Sequence, residues 1–92
     1  MAIGLGIIGT GKHGARYLAH VADVPALRLA AISRRDRDAG ERQAREYGCR
    51  FHPDAEALIA DPAVDAVVLV VPPTLNPRLA TAVARAGKAL LI

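Results

Sequence analysis

The chain has no tryptophan, one phenylalanine and two tyrosines, and aromatics make up 3 % of its residues. Ala, Val, Leu and Ile must therefore fill any core, as they do where helices pack closely on a parallel sheet. A single cysteine, Cys49, excludes an internal disulfide and a cysteine-based zinc site, and fits a reducing, cytoplasmic setting. No apolar run approaches the roughly 18 residues needed to cross a bilayer. Met1 leads straight into a strand-like segment with no basic region before it, so neither a membrane span nor a signal peptide is expected. Nor do aromatics interleave with the cations, as they do in domains that stack nucleic-acid bases.

What is present describes one small α/β domain. A chain of 92 residues suffices for a single core that buries about 60–70 % of the unfolded surface. Net charge is +3, from ten arginines and two lysines against nine acids. The densest basic stretch, Arg34 to Arg45, also holds Asp36, Asp38 and Glu41. Asp38–Arg42 and Glu41–Arg45 fall at i,i+4 spacing, which reads as a solvated helix face and not as a nucleic-acid footprint.

Apolar runs alternate with helix-like stretches along the chain. Ala2 to Ile8 is a strand buried on both faces, and Gly9 to Gly14 is a turn. Ala15, Leu18, Ala19 and Ala22 then recur at helical spacing, with His13, Arg16, Tyr17 and His20 on another face. Asp23 to Ala26 breaks that helix before a strand at Leu27 to Ile32. Asp38 followed by Glu41 predicts a capped helix start, with the helix running to Tyr47 and ending at Gly48. Cys49 to Phe51 is a short strand, Asp54 caps a brief helix through Ala60, and Asp61-Pro62 is a turn. Ala66 to Val71 is a Val-rich strand that Pro72-Pro73 stops. Asn76-Pro77 opens a helix whose buried stripe is Leu79, Ala82, Val83 and Ala86, and Gly87 closes it. Ala89 to Ile92 is a fifth strand.

Five strands alternating with four helices, joined by right-handed crossovers, predict a doubly wound parallel sheet. The expected strand order is the Rossmann order 3-2-1-4-5, in a three-layer sandwich with its ligand crevice at the carboxyl ends of the first and fourth strands. The turn after strand one, the end of strand two and the Pro72-Pro73 turn all border that crevice.

Gly9-Thr10-Gly11-Lys12-His13-Gly14 fits the G-x-G-x-x-G pattern between a strand and a helix, the context in which it binds dinucleotides. Gly9 permits the tight turn, Gly11 admits a pyrophosphate to the backbone, and Gly14 lets the helix lie close to the sheet. The helix start then offers free N–H groups and a favourable dipole to the diphosphate. Lys12 and His13 are cations in a first helical turn, where the dipole disfavours them, unless a phosphate supplies the opposite charge. NAD-binding domains place an acid about 20 residues beyond the glycines to hold the ribose hydroxyls. Nineteen residues past Gly14 stands Ser33, followed by Arg34 and Arg35. A hydroxyl and a guanidinium suit a 2′-phosphate, which favours NADP over NAD. The plane of Arg34 can also lie on the adenine, while Arg35 either assists or faces water.

No nucleophile–base–orienter set is visible, and no catalytic residue is assigned. Thr74 and Thr81 lack a basic partner, Cys49 reads as a small packing group, and Tyr17 and Tyr47 read as helix-face groups. His13 and His20 lack a third ligand, so no metal site is assigned.

The glycine turn, the AISRR at 31–35, the EYG at 46–48, DPAVDAVVLVVPP at 61–73 and ARAGKALLI at 84–92 occur in an order and spacing that resembles the Gfo/Idh/MocA family, the glucose–fructose oxidoreductase and inositol dehydrogenase group. The resemblance covers essentially all 92 residues. It implies the NAD(P)-binding Rossmann domain of a two-domain oxidoreductase acting on sugars, polyols or related alcohols and ketones. Within it, Gly9, Gly11 and Gly14 match the phosphate turn, and Ser33 and Arg34 match NADP-preferring members. Val71, Pro72 and Pro73 match the turn beside the cofactor, where many members have Thr-Pro-Pro, and Val71 lacks that hydroxyl. Asn76 stands where His is frequent, either lining the nicotinamide end or capping its helix.

The resemblance also implies that the family's Glu-Lys-Pro motif and the substrate domain belong after Ile92, so residues 1–92 are expected to hold cofactor recognition without catalysis. Leu90, Leu91 and Ile92 would form an apolar edge strand, which predicts self-association. Two other functions stay open at this level: a non-enzymatic dinucleotide sensor, and a Rossmann-like interaction module with an empty crevice.

Overall fold

A computed structural model of the chain describes residues 2–9, 14–70 and 76–91. Its elements, in order, are β1 (Ile3–Ile8), α1 (Gly14–Ala22), β2 (Leu27–Ser33), α2 (Arg37–Tyr47), β3 (Arg50–Phe51), α3 (Ala55–Ala60), β4 (Ala66–Leu69), α4 (Asn76–Arg85) and β5 (Ala89–Leu91). The five strands form one parallel sheet in the order β3-β2-β1-β4-β5. That is the order expected of the alternating pattern.

Strand side chains alternate between the two faces, and each face meets its own pair of helices. Leu5 and Ile7 of β1, Ile32 of β2 and Val68 of β4 pack with Leu18 and Val21 of α1 and Ala44 of α2. Ile8 of β1 and Val67 and Leu69 of β4 pack on the other face with Leu58 and Ile59 of α3 and Leu79 and Val83 of α4. Aliphatic side chains close both layers, as the scarcity of aromatics requires.

Several boundaries differ from the sequence reading, each for a local reason. Helix α2 begins at Arg37 under Asp36, whose side chain accepts the Ala39 N–H at 3.1 Å, and not at Asp38. Asp38 sits instead in the first turn, where its charge complements the dipole. The ion pair on this helix is Arg37–Glu41 at 3.5 Å, on an exposed face. The buried stripe of α1 uses Val21 where Ala19 was expected, and Ala19 is exposed. On α4, Ala86 is exposed and Ala80 packs partly against the core. Strand β3 starts at Arg50, one residue late, and β4 ends at Leu69 with Val70 just past it. The expected strand residue Val71, the Pro72-Pro73 stop and Ile92 lie outside the described residues.

Helices α2 and α4 end alike. Gly48 and Gly87 have φ of 68° and 73°. The following amides, Cys49 and Lys88, reach back to the carbonyls of Ala44 and Val83 at 2.9 and 3.2 Å. Asp54 caps α3 as expected, accepting the Glu56 N–H at 3.2 Å.

Candidate functional site

The carboxyl ends of the three central strands lie level. In the ladder, Ile8 of β1 stands beside Ser33 of β2 on one side and Leu69 of β4 on the other. The chain then turns out of β1 through Gly9, whose N–H donates to the Ser33 carbonyl at 2.7 Å. Across the row, the Val70 N–H donates to the Ile8 carbonyl at 2.8 Å. Gly9 has φ of 93°, a conformation that side-chain-bearing residues adopt only under strain. Helix α1 starts at Gly14 and has no acidic residue in its first turn. Thr10, Gly11, Lys12 and His13, between these two glycines, lie outside the described residues, as do Val71, Pro72 and Pro73.

At the end of β2, Ser33 is only 3 % exposed. Its carbonyl is engaged by Gly9, but among the described residues nothing hydrogen-bonds its hydroxyl. A buried hydroxyl without a partner is unusual in folded proteins. Arg34 beside it is half-buried and Arg35 is exposed. The acid nearest in sequence, Asp36, is occupied as the cap of α2. Gly9, Ser33 and Arg34 therefore meet at one end of the sheet, with no carboxylate at position 33 and the adjacent one committed elsewhere. Helix α4 opens at Asn76, beyond β4.

Cys49 belongs to the packing and not to this site. Burial pushes its thiol up to about 11 against the lesser opposing effect of its own backbone hydrogen bond, so it stays protonated at neutral pH.

One densely bonded side chain, Asp61, belongs in the sequence reading only to a turn. Asp61, 4 % exposed, accepts Arg50 Nη1 at 2.9 and 3.1 Å on its two oxygens. His52 Nε2 meets Oδ2 at 2.9 Å, and the Ala63 N–H donates to Oδ1 at 2.9 Å. Burial pushes the Asp61 carboxyl up, but the hydrogen bonds from His52, Ala63 and Arg50, with the Arg50 charge, outweigh it and hold it at about 2. Lys88 Nζ donates to the Asp61 carbonyl at 2.6 Å, tying in the turn before β5. Four residues on, Asp65 accepts the Gly4 N–H on Oδ2 at 2.8 Å. Both aspartates of the 61–73 motif thus anchor the fold. The available sequence signal was Arg50 and His52 flanking Phe51, an alternation that puts two polar groups on one side of a strand.

A doubly wound parallel sheet with a glycine turn at the end of β1 defines the class of dinucleotide-binding α/β domains. Residues 3–92 match the sequence profile described as the GFO_IDH_MocA oxidoreductase family, NAD-binding Rossmann fold, and the chain belongs to that family. It is 38 % identical over 94 residues to Inositol 2-dehydrogenase 1 of Saccharopolyspora erythraea, covering 99 % of this chain and 28 % of that protein. Among solved structures it resembles KijD10, a 3-ketoreductase from Actinomadura kijaniata in complex with NADP and TDP-benzene. There the TM-score is 0.91 at 28 % identity, over 99 % of this chain and 28 % of that one. It also resembles GenD2 from gentamicin A biosynthesis in complex with NAD, with a TM-score of 0.89 at 25 % identity over 97 % of this chain and 26 % of that one. The chain spans under a third of the length of each. Among the described residues, no helix is long and apolar enough to cross a membrane.

Proposed function

We propose that the crevice at the carboxyl ends of β1, β2 and β4 binds NADP(H), and that the whole protein is an oxidoreductase acting on a sugar, polyol or related alcohol or ketone. The observation that carries the cofactor choice is the buried hydroxyl of Ser33, without a partner among the described residues, beside Arg34, with Asp36 turned away to cap α2. A 2′-phosphate oxygen would accept from that hydroxyl and pair with the guanidinium, with Arg35 adding field strength from the rim. The diphosphate belongs to Gly9, Thr10, Gly11, Lys12, His13 and Gly14, and the nicotinamide end to Val71, Pro72, Pro73 and Asn76. When bound, the nicotinamide supplies the hydride acceptor or donor. Residues 1–92 bind and orient it, and no residue among them is assigned to the transfer. The relatives support the dinucleotide and oxidoreductase parts of this reading, since one is an inositol 2-dehydrogenase and solved relatives hold NADP in one case and NAD in another; the choice of NADP rests on Ser33 and Arg34 alone.

Calorimetric titration with NADP⁺ and NAD⁺ tests it. NADP⁺ should bind the tighter of the two. Arg34→Ala should weaken NADP⁺ by about 10- to 100-fold, the size of a lost charge-assisted hydrogen bond, and leave NAD⁺ nearly unchanged. Tighter NAD⁺ binding would overturn the 2′-phosphate assignment, and a folded chain that binds neither would overturn the whole reading.

A further inference from the structure

Strand β3 contributes only Arg50 and Phe51 to the ladder, paired with Ala31 and Ile32 of β2. Two rungs on a sheet edge are too few to hold themselves against fraying. A third contact continues them: the His52 N–H donates to the Ile32 carbonyl at 2.9 Å. Ile32 directly precedes Ser33, whose carbonyl in turn receives Gly9 at 2.7 Å. The backbone of His52 is therefore one link from the turn that carries Ser33 and Arg34.

The side chain of His52 is what fixes that link. Its ring reaches Asp61 Oδ2 at 2.9 Å, with the His52 side chain 23 % exposed and that of Asp61 2 % exposed. Arg50 contacts the same carboxylate, but its side chain is 63 % exposed and water can replace the contact. Asp61 itself is held by the Ala63 N–H and, at its carbonyl, by Lys88. The anchor is thus tied at both its carboxylate and its carbonyl, and His52 is the half-buried arm that connects it to the end of β2.

We infer that His52 and Asp61 are positioning residues for the Ser33–Arg34 turn, acting through the backbone of β3 and setting how well the chain distinguishes a phosphorylated from an unphosphorylated adenosine ribose. This rests on the proposed dinucleotide reading. Neither residue touches the cofactor; their effect passes through the His52–Ile32 hydrogen bond.

The test compares wild type, His52→Ala and His52→Gln in the 92-residue chain, titrated with NADP⁺ and NAD⁺. Amide hydrogen exchange is followed at His52 and Gly9. His52→Ala should lower the NADP⁺/NAD⁺ affinity ratio by about fivefold, the equivalent of one hydrogen bond, and speed exchange at both amides. His52→Gln, which keeps a donor of similar reach, should restore the ratio, an outcome that a loss of packing alone would not give. Should the alanine variant not fold, His52→Asn stays polar but stops short of Asp61, and reads the same ratio. A wild-type ratio in the shortened variants, or no rescue by Gln, overturns the inference while leaving dinucleotide binding intact. Failure of wild type to bind either dinucleotide removes the underlying reading, and the inference with it.

Discussion

The N–H of Gly9 and the carbonyl of Ser33 meet at 2.7 Å, joining the turn that leaves β1 to the last residue of β2. The same residue stands at φ of 93°, a backbone conformation that only glycine adopts without strain. Gly9→Ala should cost about 1–3 kcal/mol through backbone strain. For a domain of this size, each 1 kcal/mol corresponds to a fall in Tm of about 4–8 °C. Thermal unfolding followed by circular dichroism checks the stability effect, and an unchanged Tm would show that the turn tolerates a side chain. NADP⁺ titration of the same variant should show weakened binding if Gly9 begins the diphosphate site as proposed.

Ser33→Ala should separate stability from binding. The hydroxyl is buried and has no partner among the described residues, so removing it takes away no internal hydrogen bond. Stability should change by no more than about 0.5 kcal/mol, or rise slightly as an orphaned polar group disappears. NADP⁺ affinity should nevertheless fall by roughly three- to tenfold, the scale of one ordinary hydrogen bond. Urea unfolding and calorimetry on the same preparation read the two effects. A large loss of stability with unchanged NADP⁺ affinity would make Ser33 a core residue and nothing more.

The fold was legible because its signals are local. Asp54 before α3, Gly48 and Gly87 after their helices, and the Val-rich β4 each announce an element within a few residues. The end of β2 was legible too, since the count from Gly14 lands on Ser33. Asp61 was not, because its meaning lies in partners 11 and 9 residues upstream and 27 downstream, brought together only when β3 and β5 join the sheet. The start of α2 was misplaced for a related reason. Asp36 and Asp38 are both plausible caps by residue type, and only the folded backbone shows that Asp36 has the extended conformation of a cap while Asp38 is already helical. Periodicity also misjudged Ala19 and Ala86, since alanine carries too little apolar surface to mark a buried face.

Strand β5 leaves an edge without a guarding charge. Leu91 is 56 % exposed, and the adjacent cation, Lys88, reaches inward to the Asp61 carbonyl and not outward over the edge. Exposed apolar edges pair with other chains unless charged or covered. The 92-residue chain should therefore self-associate with rising concentration in light scattering, and Leu91→Lys should shift it toward monomer without changing its circular dichroism. A wild-type chain that stays monomeric at high concentration would show that a three-residue edge strand with Ala89 and Leu91 exposed is too short to recruit a partner strand.

Asp61 should give the chain a distinctive acid limb. Its carboxyl lies at about 2 in the folded chain against an ordinary value of 3.8, so folding favours the ionised form. The contribution is present in full above about pH 4 and is lost as pH falls through about 2, because the unfolded chain takes up the proton first. At roughly 1.4 kcal/mol per pH unit, the difference is on the order of 2 kcal/mol. Urea unfolding from pH 7 down to pH 2 should show wild type losing stability of that order across the lower part of the range, beyond what the exposed acids contribute. Asp61→Asn should be less stable at pH 7, since Arg50 loses its counter-charge and His52 its carboxylate partner, and it should lack this share of the acid slope. Parallel pH profiles for the two proteins would show that the Asp61 charge is not what holds β3 to the turns beneath it.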